Sequence, residues 1–251
     1  MHLKVIACEV LTREFCLCAA RSPHVVDLEF TPKDAHENSS ELRELIQQKI
    51  DAIPAQKYDA ILLGYGLCGN GTVGLRARHT PLVIPRAHDC CTLFLGSRLR
   101  FQEHFSHNPS QPFTAVGYME RGESEVRTST LRETLGLDRT FQEYAALYGD
   151  DNARYIIETL YPAFDLGEQS RQVVFIRVPE TDPGDWSERL REKAEQEGKE
   201  FVELEGSTAL ICSLVHGRWD PAEFLVVPPG GQIEGVYDWD EICRLSAQEG
   251  E

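Results

Sequence analysis

Side chains that can bind metals or attack substrates are concentrated in two short segments of this chain. The first, residues 64–71, is rich in glycine and also contains Tyr65, Cys68 and Asn70. The second, residues 86–92, contains several such side chains: Arg86, His88, Asp89, Cys90 and Cys91. Each segment follows a short apolar run, residues 60–63 and 82–84, that is typical of a buried strand in a parallel sheet. Because ligands bind at the carboxyl ends of strands in open α/β sheets, we expect a functional site at this edge.

A metal centre is the first chemistry that these residues permit. Cys8 ends the first predicted strand, and the same sheet edge is expected to carry three further candidates, which are Cys68, His88 and Cys90. If the first, third and fourth strands are neighbours, these side chains converge. Thiolates and imidazole favour zinc, iron or an iron–sulfur cluster, and zinc with three protein ligands keeps one position open for water or a substrate thiol. His88 and Cys90 are two residues apart in a segment expected to be extended, so they should share the ion.

A second interpretation needs no metal and makes Cys68 or Cys90 a nucleophile. The thiolate would be favoured by His88, by Arg86 and by the amino end of a helix just after the loop. Thr92 and the amides of residues 91–93 would then face the site as donors to an anion. Arg86 would pair with a carboxylate or phosphate of the ligand, although a structural salt bridge is an equal alternative for this residue.

The glycines of the first segment allow a third interpretation. Gly64, Gly66 and Gly69 match the G-x-G-x-x-G pattern of dinucleotide-binding loops. The match follows the third predicted strand instead of the first, and no clear helix opens after it, so a nicotinamide site is not predicted. We expect instead a loop that encloses a ligand or metal, with these glycines, Asn70 and Gly71 as its binding residues.

The composition argues against several classes of function. A formal net charge of −16 disfavours binding to nucleic acid or to anionic membranes, which requires clustered Lys and Arg. No apolar run approaches the roughly 20 residues that cross a bilayer, and residues 1–10 lack the features of a secretory leader, so a cytoplasmic location is predicted. Disulfides are rare in that compartment, and most of the eight cysteines are therefore expected to be buried apolar side chains. This expectation applies most clearly to Cys16, Cys18, Cys212 and Cys243.

The order of the predicted elements indicates an α/β fold with a doubly wound, mostly parallel, Rossmann-like sheet. Strands and helices alternate through one helix at residues 92–105 and a strand at residues 113–118. Two helices are predicted within residues 122–165, and the alternation resumes at residue 172. One division of the chain has a first lobe with the Cys/His site, a helical insert or linker, a second smaller lobe and a tail, over residues 1–121, 122–170, 171–235 and 236–251.

The motifs GYGLCGNG at residues 64–71 and PRAHDC at residues 85–90 resemble a family of bacterial and archaeal proteins catalogued as a domain of unknown function. KVIACEV at residues 4–10 and GDDNARYIIETL at residues 149–160 extend the resemblance over most of residues 3–230. The resemblance implies no settled activity. Members tend to be encoded beside corrinoid-dependent methyltransferases, which implies a context of one-carbon or methyl-group metabolism.

The corrinoid-linked methyltransferases that activate thiols use a zinc site with an H-x-C element. The segment His88-Asp89-Cys90 is similar to this element in its local pattern. The second cysteine of those enzymes lies far downstream of the element, whereas Cys68 lies upstream here. The similarity therefore concerns the chemistry of the site.

Two functions follow from this sequence. The first is a cytoplasmic metal-binding enzyme that acts on a small anionic or thiol-containing substrate in methyl transfer. Its zinc ion or iron–sulfur cluster would be bound by Cys8, Cys68, His88 and Cys90, and the catalytic residues would be Cys68, Cys90 and Arg86. The second is an accessory protein without turnover, which carries a metal, a cluster or a corrinoid for a corrinoid protein or a methyltransferase.

Overall fold

The computed structural model describes residues 1–106, 111–121, 149, 172–236 and 238–246, and within them the protein is a mixed α/β structure. The strands are β1 (His2–Cys8), β2 (Val25–Thr31), β3 (Ala60–Gly64), β4 (Leu82–Pro85), β5 (Phe113–Ala115), β6 (Gln172–Arg177), β7 (Glu200–Glu205), β8 (Phe224–Val227), β9 (Ile233–Gly235) and β10 (Cys243–Leu245). The two helices predicted within residues 122–165 lie outside the described residues.

The helices of the described residues are α1 (Thr12–Ala20), α2 (Ser39–Asp51), α3 (Cys90–Leu95), α4 (Arg98–Phe105), α5 (Val116–Met119), α6 (Trp186–Gln196) and α7 (Ala209–Val215). Two 3-10 segments, Glu9–Leu11 and Lys33–Glu37, precede α1 and α2. In this part of the chain, no helix combines the length and the apolar character that a membrane crossing requires.

The main sheet has five strands in the order β2-β1-β3-β4-β8. The first four strands pair in parallel, and β8 runs antiparallel to β4. Every residue of β3 and β4 is buried, as expected of continuous apolar runs in a covered parallel sheet. The predicted α/β fold with a mostly parallel sheet is confirmed. The first, third and fourth strands are neighbours, so the segments that follow them start side by side.

Smaller sheets complete the fold. These are the parallel sheet β5-β6-β7 and the antiparallel pair β9-β10. The strands are not assigned to the sheets in the order in which they occur along the chain. β5 joins β6 and β7, whereas β8, which comes later, returns to the main sheet. The predicted strand at residues 113–118 is wrong in its second half, because residues 116–119 form α5.

The predicted single helix over residues 92–105 is also wrong, because α3 and α4 are separate helices divided at Gly96. Gly96 has a φ of +74°, the left-handed conformation that ends helices and that glycine adopts without steric cost. The carboxylate of Asp89 accepts a hydrogen bond from the amide of Cys91 at 2.9 Å and caps α3. The helix therefore begins at Cys90. The prediction that Cys90 lies in an extended segment is wrong.

A disulfide links Cys18 of α1 to Cys212 of α7, across a sequence separation of 194 residues. Cys18 is fully buried and Cys212 packs against the core, as expected, but their covalent link is not predicted by the sequence. The helices α1 and α7 pack against each other, and this tertiary contact brings the two cysteines together. The other cysteines are not in disulfides, and among them Cys243 is buried as expected and Cys16 is exposed, contrary to expectation.

Glu14 is a carboxylic acid of α1 that is buried against the segment after β6. The residue is only 1% exposed. One carboxyl oxygen accepts a hydrogen bond from the Thr181 hydroxyl at 2.6 Å, and the other finds no partner in the described structure. Burial raises the pKa of Glu14, and the hydrogen bond from Thr181 opposes this effect. Folding therefore favours the protonated acid.

Glu14→Gln is expected to stabilise the fold at neutral pH by about 1 kcal/mol, because an amide keeps the bond to Thr181 without a buried charge. A raised folded-state pKa contributes stability that is complete below the unfolded pKa and is lost as pH rises through the folded pKa. The free energy of unfolding of the glutamine variant should therefore increase relative to that of the wild type as pH rises from about 4 to about 8. Urea unfolding at a series of pH values measures this difference.

Glu120→Gln is the matched control with the opposite sign. The hydrogen bond from Arg13 lowers the pKa of Glu120, so its contribution to stability is present at neutral pH and is lost on acidification. This variant should lose stability relative to the wild type as pH rises through the acidic range to about 5, and the difference should change little above that pH. A pH-independent difference between the wild type and Glu14→Gln would contradict the burial of an ionisable acid at residue 14.

Candidate cysteine site

Three of the predicted site residues lie together at the carboxyl edge of the main sheet. Cys8 is the last residue of β1, Cys68 lies in the loop after β3, and Cys90 is the first residue of α3. Ala7 and Gly64 are register partners in β1 and β3, which places Cys8 beside the start of the Cys68 loop. Cys8 acts electrostatically on both Cys68 and Cys90, and these two thiols also interact. We refer to Cys8, Cys68 and Cys90 as the cysteine cluster.

The loop that carries Cys68 is bonded to residues 87–88. The amides of Leu67 and Cys68 donate hydrogen bonds to the two carbonyls of that segment, each at 2.9 Å. Gly66 permits this approach, because a Cβ there would lie 2.6 Å from the amide nitrogen of Asp89. Cys68 itself has a φ of +46°, a conformation that costs a non-glycine residue roughly 1 kcal/mol or more. The loop contacts thus hold the thiol in a strained backbone position.

Opposing influences act on the pKa of Cys68. Desolvation raises this pKa most, and the negative charges of Asp89 and Cys8 raise it further. The backbone amides of Gly66 and Cys90 donate to the sulfur and lower the pKa. Since the raising influences dominate, the thiol stays protonated at neutral pH in the free protein. The two amides are nevertheless donors already aimed at a sulfur that acquires negative charge.

Tyr118 of α5 closes one side of the cysteine cluster. Its hydroxyl oxygen lies 2.7 Å from the sulfur of Cys90. Desolvation, Asp89 and Cys68 raise the pKa of Cys90, and the hydrogen bond with Tyr118 lowers it. Tyr118 is not predicted as a site residue from the sequence, because the pattern of residues 113–118 indicates a strand. No local signal links this tyrosine to a cysteine 28 residues earlier.

Tyr65 covers another side of the cluster. It is buried, and its hydroxyl hydrogen-bonds to Thr31 at the end of β2. Burial raises the pKa of Tyr65 well above its ordinary value, the bond to Thr31 opposes this, and the charges of Cys8 and Cys68 add to it. Tyr65 is therefore a neutral phenol close enough to Cys8 and Cys68 to interact with them electrostatically.

Asp89 directly precedes Cys90 and raises the pKa of both Cys68 and Cys90. Burial raises the pKa of Asp89 to about 6, and the backbone amides of Cys91 and Thr92 oppose the shift by donating to the carboxylate. These amides are among the donors that the sequence analysis assigned to an anionic ligand, so the carboxylate already occupies them. Thr92 is fully buried, and its hydroxyl finds no partner in the described structure.

The ring of His88 lies among aromatic side chains. Its centroid is 5.4 Å from that of Phe101 and 5.2 Å from that of Trp239. Burial lowers the pKa of His88, while Asp238 raises it and Arg98 lowers it. Because α3 begins at Cys90, residues 88 and 90 do not alternate as in a strand. The ring contacts Phe101 and Trp239, and no cysteine is among the groups that act on it.

The guanidinium of Arg86 binds main-chain carbonyls. It donates to Pro221 at 2.8 Å, to Glu241 at 2.7 Å and also to Cys243. These bonds tie the segments around β8 and β10 to the end of β4. The structure thus gives Arg86 a structural role, by bonds to carbonyls instead of the salt bridge considered from the sequence.

The remaining loop residues make packing contacts. A Cβ on Gly64 would lie 2.6 Å from the ring of Phe15, and one on Gly71 would lie 2.5 Å from Leu42 of α2. The carbonyl of Asn70 accepts a hydrogen bond from Arg43 at 3.0 Å. Gly69, which has a φ of +61°, faces open space. The roles of these residues in binding a ligand stay a prediction.

The described residues contain no group of three or more His, Cys, Asp or Glu side chains already arranged to hold a metal ion. The cluster has three thiols that are not in disulfides, of which Cys68 and Cys90 are partly exposed and Cys8 is 7% exposed. The strongest influences on the pKa values of Cys68 and Cys90 include no basic side chain. The three thiols can lose their protons and bind a soft cation as thiolates. Alternatively, one thiol can act as a nucleophile once a base removes its proton.

Comparison with known families gives a match over most of the chain. A family model described as "Protein of unknown function (DUF1638)" matches residues 30–215. This confirms the resemblance to an uncharacterised domain-of-unknown-function family. Neither the curated proteins nor the solved structures include a match to the chain.

Proposed function

The chain belongs to the DUF1638 family, and we propose that it is a metal-dependent enzyme whose ion is bound by Cys8, Cys68 and Cys90. The observation that carries this proposal is the position of three thiols outside disulfides, in segments that follow three neighbouring strands, at one partly open place. Such a donor set selects a soft ion, either zinc or the iron of an iron–sulfur cluster. Magnesium and calcium are disfavoured because they prefer oxygen ligands.

The topology supports the same location. In the order β2-β1-β3-β4, the sheet is extended on one side from β1 to β2 and on the other side from β3 to β4, so the order switches between β1 and β3. We propose that the sheet is doubly wound and Rossmann-like. Sheets of this kind bind ligands in the crevice outside the strand ends where the order reverses. Cys8 and Cys68 follow the two strands that flank this crevice.

Binding of the ion requires the thiols to turn toward one another. A protonated thiol gains little from facing another thiol, whereas a cation replaces the protons and attracts all three sulfurs. Cysteine side chains move between staggered rotamers by rotation about one bond. On binding, Cys90 would turn from Tyr118, and the phenol would then face the substrate.

We propose a thiol-containing substrate, methyl or one-carbon transfer as the reaction, and the cytoplasm as its location. Cys8, Cys68 and Cys90 would hold a zinc ion whose fourth position is open, and a substrate thiol bound there would release its proton to solvent and become a nucleophile toward a methyl group. Arg86 is bonded to carbonyls, which favours the thiol over the anionic substrate class. A corrinoid protein or a methyltransferase is the partner from which such a thiolate would take the methyl group.

A specific observation favours a second candidate, in which Cys68 is a nucleophile without a metal. Its sulfur accepts hydrogen bonds from two backbone amides, and its backbone is held in the left-handed region. Donors of this kind stabilise negative charge on the atom they face. A third possibility, an accessory protein that carries a metal or corrinoid, shares the metal site of the first candidate and differs in having no turnover.

Metal analysis of anaerobically purified protein tests the proposal. We expect about one zinc ion or one iron centre per chain. Cys8→Ser, Cys68→Ser and Cys90→Ser should each reduce the content to about a tenth or less, because a serine hydroxyl is a poor ligand for a soft ion. The absorption spectrum distinguishes colourless zinc from a coloured cluster.

Two control variants sharpen the measurement. Cys16→Ser removes an exposed thiol of α1 and should leave the metal content unchanged. His88→Gln should also retain the ion, because the ring packs against Phe101 and Trp239. Full metal content in all three cluster variants would contradict the proposal. Metal-free wild-type protein whose Cys68 is alkylated rapidly at mildly acidic pH would favour the nucleophile instead.

A further inference from the structure

A second concave site lies away from the cysteine cluster, along α2. The first turns of α2 contact the Cys68 loop, where Leu42 packs against Gly71. The last turns of α2, from Leu45 to its end, line a cavity of about 440 Å³ together with β1, β2 and residues 52–58. This volume lies within the range of roughly 300–1,000 Å³ that small-molecule sites occupy.

Two lysines bind one carboxylate in this cavity, and a third lysine, Lys57, is part of its lining. The ammonium of Lys4 lies 2.7 Å from one oxygen of Glu29, and that of Lys49 lies 2.6 Å from the other oxygen. Lys57 makes no ion pair within the part of the chain that the structure describes, and its ammonium lies 5.0 Å from the centroid of the Tyr58 ring. The cavity lining thus holds more positive than negative charge.

The positive charge of the cavity contrasts with the formal net charge of the whole chain, which is −16. The neighbouring acid, Asp27, is outside the lining and is already bonded to His2 and to the hydroxyl of Tyr58. The side chain of Lys4 is only 14% exposed and extends from β1, an inner strand of the main sheet. A lysine so placed is stabilised by an anion in the cavity.

We propose that this cavity binds a small organic phosphate, and that Glu29 occupies the phosphate position in the free protein. A phosphate dianion offers three acceptor oxygens to three ammonium groups, whereas a carboxylate offers two. The cavity is larger than a single phosphate ion, and Ile53, Pro54 and the ring of Tyr58 provide an apolar wall for the organic part. The ligand displaces the carboxylate of Glu29 from the lysines.

Calorimetric titration of the full chain with phenyl phosphate and with inorganic phosphate tests this site. Phenyl phosphate should bind more tightly than inorganic phosphate, because only the ester contacts the apolar wall. Lys49→Met should weaken binding of phenyl phosphate about tenfold, by removal of one charged donor. Glu29→Gln should strengthen it about tenfold, because the internal competitor loses its charge.

The opposite signs of these two variants separate binding from misfolding, since a damaged protein does not gain affinity. Lys199→Met is the control, because Lys199 pairs with Glu197 at 2.7 Å beside β7 and outside the cavity lining. This variant should bind phenyl phosphate like the wild type. Absence of saturable binding, a loss of affinity in Glu29→Gln, or inorganic phosphate binding as tightly as phenyl phosphate would each overturn the assignment.

Discussion

Replacing Gly117 by alanine is expected to destabilise the fold by about 3 kcal/mol, near the upper end for overpacking, and to separate Tyr118 from Cys90. A Cβ on residue 117 would overlap the carbonyl oxygen of Val10. Main-chain atoms cannot rotate away as a side chain does, so α5 must move from the 3-10 segment Glu9–Leu11. Tyr118 is the next residue of α5 and moves with it. Urea unfolding measures the loss of stability, and the alkylation rate of Cys90 should rise as its cover is removed.

Gly198→Ala is the matched control for this prediction. Gly198 has a φ of +67° and nothing within 4 Å of an added Cβ, so alanine there meets only a conformational cost. That cost is about 1 kcal/mol. Gly117 shows the reverse case, in which glycine is required for close approach. A Gly117→Ala variant no less stable than Gly198→Ala would contradict the contact between α5 and Val10.

Removal of the disulfide is expected to have an effect of similar or greater size. Replacing both Cys18 and Cys212 by alanine should lower the free energy of unfolding by about 3 to 5 kcal/mol, because the cross-link closes a very long loop and restricts the unfolded chain. Dithiothreitol should lower the urea midpoint of the wild type correspondingly. It should have no further effect on the double variant.

A count of reactive thiols in denatured, unreduced protein gives an independent check. Six thiols are expected, because the remaining cysteines are free. Cys16→Ala, on the same helix as Cys18, should keep the effect of dithiothreitol on stability. Eight reactive thiols, with an unfolding midpoint insensitive to the reductant, would contradict the disulfide.

The buried strands could be predicted because their signal is local. Residues 60–63 and 82–84 are continuous apolar runs, and their burial on both faces follows from that pattern. The neighbouring positions of β1, β3 and β4 follow from the alternation of strands and helices, which favours a small number of parallel orders. The edge at which Cys8 and Cys68 lie could therefore be predicted as well.

Local patterns failed where a contact from elsewhere in the chain decides the structure. The segment at residues 113–118 has the composition of a strand, yet it turns into α5 where Gly117 meets Val10. The apolar periodicity of residues 92–105 continues through Gly96, but the left-handed conformation of that residue ends α3.

The sequence by itself determined that thiols lie at the carboxyl edge of a parallel sheet, because residue type and the positions of strands along the chain are properties of short segments. Only the tertiary structure decided which side chains meet there. It directed the ring of His88 to Trp239, bonded Cys90 to Tyr118 and joined Cys18 to Cys212. Each of these pairs is separated by tens of residues or more, and side-chain direction depends on packing between such distant segments and not on spacing along the chain.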